Sequence, residues 1–165
     1  MKNLRTAIFA IFALACALIG GQASAALQYT ATHRSNAMTD LVTATGSTGY
    51  LLILTGAQPA NVATVDSGTL LVALPLSSTA GTVSSGVLTF NAITTTAATA
   101  AGTAAHFLIC TSSVTATCMA ASSATRVFQG SVATSGADLN FAAGVAFTIG
   151  MNISVTSWTI TAGGQ

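Results

Sequence analysis

The sequence predicts an all-β fold: a single β-sandwich or jelly-roll-like domain with one short N-terminal helix. Three observations predict it. Short apolar runs bounded by glycine recur along the chain, separated by turn residues. Threonine is abundant, at 27 residues, and a β-branched hydroxyl residue suits a half-exposed pleated face. Helical periodicity occurs only once after the N-terminal segment, at Met38, Leu41 and Val42.

The chain begins with a segment of different character. Lys2 and Arg5 form a positive start, and Ala7 to Ile19 is an unbroken apolar run. Gly20-Gly21-Gln22 breaks the run, and Ala23-Ser24-Ala25 fits a small-x-small cleavage pattern. Met1–Ala25 therefore reads as a secretory signal-peptide-like helix, cleaved between Ala25 and Ala26. The run is short of the roughly 20 apolar residues of a spanning helix, so the membrane would be met only transiently. An uncleaved N-terminal helix is the alternative. Residues 26–48 form an arm carrying the short helix, and residues 49–165 form the β domain.

In the arm, Ser35 is the expected N-cap, Asp40 suits the helix dipole, and Gly46 and Gly49 end the helix. Tyr50–Thr55 is an apolar run between Gly49 and Gly56, as in a strand buried on both faces. Thr69–Leu76 is a second strand, with Pro75 placing its end at an edge or bulge. Gly86–Ile93 is a third. Thr94–Ala101 has low complexity and reads as a surface loop. Thr103–Cys110 is a fourth strand, with His106, Leu108 and Cys110 on one face and Phe107 and Ile109 on the other. Arg126–Val132 is a fifth. Ser135-Gly136-Ala137-Asp138 is a turn. Val145–Thr148 and Met151–Thr161 add one or two more strands, the last alternating regularly to its end.

Charge is scarce. The 165 residues hold four Lys or Arg, three Asp, no Glu and two His. Nucleic-acid binding through a basic face needs clustered cations, and none cluster here. His33 and His106 lack a companion carboxylate at ligand spacing, so no metal or other cofactor is expected. Asp66 and Asp138 read as turn residues accepting backbone N–H bonds. Arg126 is the cation of the β domain and reads as a solvated strand end, with pairing to an aspartate or a place at an interface as the alternatives. Trp158 reads as core packing. The sequence carries no G-x-S-x-G elbow and no phosphate loop with its lysine, and an enzyme is not expected.

Cys110 and Cys118 are the cysteines beyond the leader-like segment. Export would place them in an oxidising compartment, where a bridge is expected, contributing about 2–3 kcal/mol on the chain-entropy model. Two free thiols, each acting as a small hydrophobe, are the alternative.

Several segments carry a resemblance. They are Gly49–Ala60, Gly68–Leu74, Gly86–Ile93, the run Gly130-Ser131-Val132-Ala133-Thr134-Ser135-Gly136-Ala137-Asp138-Leu139-Asn140, and the ending Ile153–Gly163. Arg34-Ser35-Asn36-Ala37-Met38 joins them as a helical start. Their order and spacing resemble a family of small virion structural proteins of tailed bacteriophages and prophages, over about residues 34–163. The run containing Ser135, Gly136, Ala137 and Asp138 is the most specific part. The resemblance implies a β-sandwich subunit on a virion surface, with head decoration as the leading form. Its implied partners are capsid or tail subunits and further copies of itself. Two features depart from the family: the leader-like segment, and a Cys110–Cys118 stretch longer than a tight hairpin. Both suit an exported, pilin-like or other cell-surface structural subunit, secreted or periplasmic after cleavage, which is the competing reading. A secreted carbohydrate-binding sandwich is a third, with only Tyr29, Tyr50 and Trp158 as stacking platforms.

Overall fold

The computed structural model describes residues 29–111, 115–120 and 125–163. Within them, Tyr29–Gly163 forms one compact unit, made mainly of strands. The leader-like segment, with Ala25 and Ala26, lies outside the described residues.

The helix α1 runs over Ala31–Thr45 and is longer than its periodic core suggested. Thr30, not Ser35, is its N-cap: the Thr30 hydroxyl accepts from the His33 N–H at 3.3 Å. Ser35 falls inside the helix, and its Oγ accepts from the Gly86 N–H at 2.9 Å, tying the helix to a strand turn. Met38 is buried, with Leu41 and Val42 packed beside it. The arm is therefore part of the packed unit. Gly46 ends the helix at φ +67°, a left-handed value that glycine adopts freely, and a 3-10 turn follows over Gly46–Thr48.

The main sheet has five strands. In chain order they are β1 (Tyr50–Leu54), β2 (Leu70–Pro75), β7 (His106–Cys110), β8 (Arg126–Ala133) and β9 (Leu139–Asn140). Their spatial order is β2-β1-β7-β8-β9, with every pairing antiparallel except β8–β9. A three-stranded sheet pairs β3 (Gly81–Ser84), β4 (Val87–Phe90) and β12 (Thr159–Thr161) in the order β12-β4-β3. Two small ladders complete the set. One pairs β5 (Thr96–Ala97) with β11 (Asn152–Ile153), and the other pairs β6 (Gly102–Thr103) with β10 (Ala146–Phe147).

Burial follows from the pleat. Leu51 to Leu54 are all fully buried, because β1 is central and both faces of its sheet are covered. Leu51 stands opposite Leu74 and Ile109, and Ile53 opposite Val72 and Phe107. These residues share the larger core with Leu88 and Phe90 of β4, with Trp158, and with Met38 of α1. Leu52 and Leu54 turn to the other face and join Leu108, Cys110 and Cys118 in a second, smaller cluster.

An aromatic group locks the larger core. Trp158 stacks on Phe90 at 4.2 Å between centroids and 10° between planes. Phe107 meets Trp158 edge-on at 4.9 Å and 86°. The Phe107 ring presses on β8 so closely that a Cβ at Gly130 would lie 2.6 Å from its Cε1. Gly130 is thus required by close approach.

Three expectations are corrected. The Thr94–Ala101 stretch is not simply a surface loop. It forms β5, buries Ala98, and donates the Thr99 N–H to Leu71 O, covering the edge of β2. A hairpin strand, β3, precedes the expected third strand, turned by Ser85 and Gly86 at φ +51° and +80°. The regular alternation expected over Met151–Thr161 also breaks. Ile153 and Val155 are buried, and then Trp158 is, so the side-chain phase slips between β11 and β12. The strand between them is interrupted because Trp158 must reach the aromatic group.

Candidate functional site

The residues with the most chemistry converge on the second face of the main sheet. Alternation along β7 puts His106 on the side of Leu108 and Cys110, as the sequence predicts. The β7–β8 register sets Leu108 opposite Gln129 and Cys110 opposite Arg126, with a bulge after Ile109. Two chain segments cover these side chains. One is the connection 56–69 between β1 and β2, and the other contains the short helix α2 (Thr115–Met119).

His106 and Asp66 form a pair that is 0% exposed on both side chains. The Asp66 Oδ2 lies 2.7 Å from His106 Nε2. Nδ1 lies 3.2 Å from the Gly56 carbonyl, which can only accept, so Nδ1 carries a proton and donates it. Asp66 Oδ1 accepts from the Gly68 N–H at 2.7 Å, the turn role expected for it. Gly68 permits this closure: a Cβ there would be driven into the Thr55 carbonyl and would lie 3.0 Å from Asp66 Oδ1.

Arg126 is 2% exposed, which corrects the solvated strand end. Its guanidinium is spent on main-chain carbonyls. Nε and Nη2 donate to Cys118 O at 3.1 and 2.9 Å, Nη2 also to Met119 O at 3.1 Å, and Nη1 to Thr64 O at 2.9 Å. Nη1 is also 3.3 Å from Gln129 Oε1, and Gln129 Nε2 donates to Pro59 O at 2.6 Å. The Asp66 N–H donates to Met119 O at 2.9 Å, which joins the two covering segments directly. Burial lowers the Arg126 pKa from its ordinary value, and the charge of Asp66 opposes that shift. A guanidinium keeps its proton under these conditions, so the cover is built around a fixed buried charge.

Cys110 and Cys118 are bonded, with Cα atoms 6.0 Å apart. The connection is not a simple hairpin loop. Cys118 sits in α2, so the bridge pins that helix to β7 beside the Arg126 carbonyl cradle. Among the described residues, no group of three or more His, Cys, Asp and Glu side chains could hold a metal ion. His33 is exposed in the first turn of α1, with Nδ1 2.9 Å from the Thr30 hydroxyl.

The chain bends over Ser135-Gly136-Ala137-Asp138, with Gly136 at φ +72°. Asp138 Oδ2 accepts from the Ser131 N–H at 2.8 Å and from the Ser131 hydroxyl at 2.7 Å. These bonds hold the Asp138 carboxyl below the usual carboxylate range, the backbone bond most strongly. The Asp138 carbonyl accepts from Trp158 Nε1 at 2.9 Å, so the turn is tied to the aromatic group. A groove of about 340 Å³ opens beside it, lined by Phe128, Gln129, Asp138 and Thr159–Thr161 among others. It runs between the outer edge of β8 and the edge strand β12. Among the described residues, neither edge is paired there, apart from the Val132–Ala133 stretch of β8 that meets β9.

Sequence reasoning missed the His106–Asp66–Arg126 grouping. These residues are 40 and 20 positions apart, and only the fold joins them. The usable signal was the shared face of His106, Leu108 and Cys110, which marks His106 as an interior residue. No family model matches the chain, and no curated protein or solved structure matches it either.

Proposed function

We propose that this protein is a non-enzymatic structural subunit that works through its contact surface, on a virion as a decoration-type protein. The observation that carries this reading is where the polar chemistry goes. Asp66, His106, Arg126 and Gln129 are committed to one another and to main-chain groups beneath two covering segments. Both ring nitrogens of His106 are engaged within the protein, and its side chain is fully buried. The outside is left to Thr, Ser, Ala and Gly, with few charges to desolvate on contact. A surface so close to neutral favours association. The unpaired edges of β8 and β12 suit contact by sheet pairing.

The finer fold belongs to the same reading: a β-sandwich, with the three-stranded sheet packed on the five-stranded one. Its support is the common core of Leu51, Ile53 and Phe107 with Leu88, Phe90 and Trp158.

One observation favours the second reading, an exported pilin-like or other cell-surface structural subunit. The Cys110–Cys118 bond fits an oxidising compartment, as does the leader-like segment. Mass spectrometry of purified particles, set against periplasmic and surface fractions, separates the two. Enrichment in particles supports the virion role. A mature N-terminus at Ala26 in envelope fractions, with none in particles, replaces it with the surface role. A dispersed monomer in every fraction contradicts both.

A further inference from the structure

The second face of the main sheet is closed by two segments joined through one buried guanidinium. Arg126 reaches Thr64 O in the 56–69 connection and Cys118 O and Met119 O in α2. The Asp66 N–H bonds Met119 O, so the 56–69 connection also rests on α2. The Cys110–Cys118 bond is the one side-chain cross-link from α2 to the sheet among the described residues, and it lies next to the Arg126 cradle, since Cys110 stands opposite Arg126 in the register. Release of α2 would strip Arg126 of its three hydrogen bonds to Cys118 O and Met119 O and strip the Asp66 N–H of its acceptor. The larger core has no such dependence. Phe90, Phe107, Phe128 and Trp158 belong to the larger core, and Cys110 and Cys118 to the smaller cluster on the other face.

We infer that the Cys110–Cys118 bond is a redox latch on this cover. With the bond formed, the face carrying Leu52, Leu54 and Leu108 is shut. With two thiols in its place, the cover opens while the larger core stays folded. The step is a thiol–disulfide exchange with a dithiol. One thiolate of the reagent attacks a protein sulfur and forms a mixed disulfide. Its second thiol then displaces that sulfur, leaving two protein thiols and a cyclic disulfide. The protein gains two electrons and two protons, and the dithiol loses the same. Closure is the reverse, with a disulfide-bearing oxidant. Both cysteines are 0% exposed, so the exchange waits on opening of the connection, and the closed form resists reduction until it opens. The face is thereby shut in an oxidising compartment and openable in a reducing one. This inference does not depend on which assembly the protein joins, and its failure would leave the proposed function standing.

The chain carries its own reporter. Trp158 is the single tryptophan, 5% exposed and stacked on Phe90 in the larger core. The test is hydrogen exchange by mass spectrometry on the full chain, oxidised and after dithiothreitol, with Trp158 emission recorded alongside. The double variant C110A/C118A gives a second route to the open form. Peptides covering 56–69 and 115–120 should lose protection by about tenfold or more on reduction. Peptides covering β4 and β12 should keep theirs, and Trp158 emission should stay blue-shifted. Unchanged exchange at 56–69 and 115–120 after complete reduction overturns the latch. So does uniform loss of protection together with a red shift of Trp158, because the bond would then support the whole fold.

Discussion

At the scale of single residues, three positions decide whether the molecule closes. Arg126 is the first. Replacing it with leucine takes the guanidinium donors from the carbonyls of Cys118 and Thr64, leaves Met119 O with the Asp66 N–H, and removes the charge neighbouring Asp66. A buried carbonyl left without its donor costs about 1–3 kcal/mol, and urea unfolding of Arg126→Leu should show a loss of at least about that size. Lysine at the same place cannot span the carbonyls as the guanidinium fork does, and should recover only part of the loss. Gly130 is the second. Its φ is extended, so the constraint is contact and not strain. Gly130→Ala sets a methyl 2.6 Å from the Phe107 ring and should cost about 1–3 kcal/mol, read as a lower urea midpoint with an unchanged slope. Asp138 is the third. Its native carboxyl titrates below its unfolded value, so the stability it adds is complete above about pH 4 and fades as pH falls through the lowered native value. Asp138→Asn should therefore melt below the parent at pH 6, with the gap narrowing as pH falls below about 4. A constant difference across that range would refute the assignment.

At the scale of elements, the helix and the strands obey different rules, and the sequence exposed them unequally. The strands β1, β2 and β7 were legible because each is a compact, mostly apolar run between turn residues. The two faces of β7 followed from alternation alone. The helix was legible only as its apolar stripe, Met38, Leu41 and Val42. Its first turn holds polar residues and is stabilised by a cap at Thr30 that no periodicity marks. Thr30→Ala should lower thermal stability by about 1 kcal/mol. Short ladders such as β5–β11 were illegible for a different reason. A two-residue strand has no period to detect, and its pairing is set by where the longer strands leave the chain. The phase slip before Trp158 was hidden in the same way, because the indole is drawn to Phe90 and to the Asp138 carbonyl by tertiary contacts. The His106–Asp66 pair lay beyond sequence reading because it joins a strand to a loop 40 residues earlier. Only the turn role of Asp66 was local enough to see.

At the scale of the whole molecule, five of the seven formal charges in 165 residues lie among the described residues. Arg126 and Asp66 are buried, where they hold the cover of one sheet face. Asp138 is bound into a turn, and Asp40 is exposed on α1. The outer surface is therefore close to neutral, and large apolar side chains break through at Tyr29, Val65, Ile149 and Met151. A molecule of this kind gains from association and has little electrostatic repulsion to prevent it. The buried network holds one face of the sheet, and on the proposed reading the exposed strand edges and near-neutral faces serve as a surface for contact. The central claim, a subunit whose function is that contact surface, is tested most directly by sedimentation of the purified chain beginning at Ala26, alone and mixed with isolated virion particles or cell envelopes. The account predicts concentration-dependent self-association, or pelleting with one of those two assemblies. A single monomer at every concentration, pelleting with neither, would contradict it.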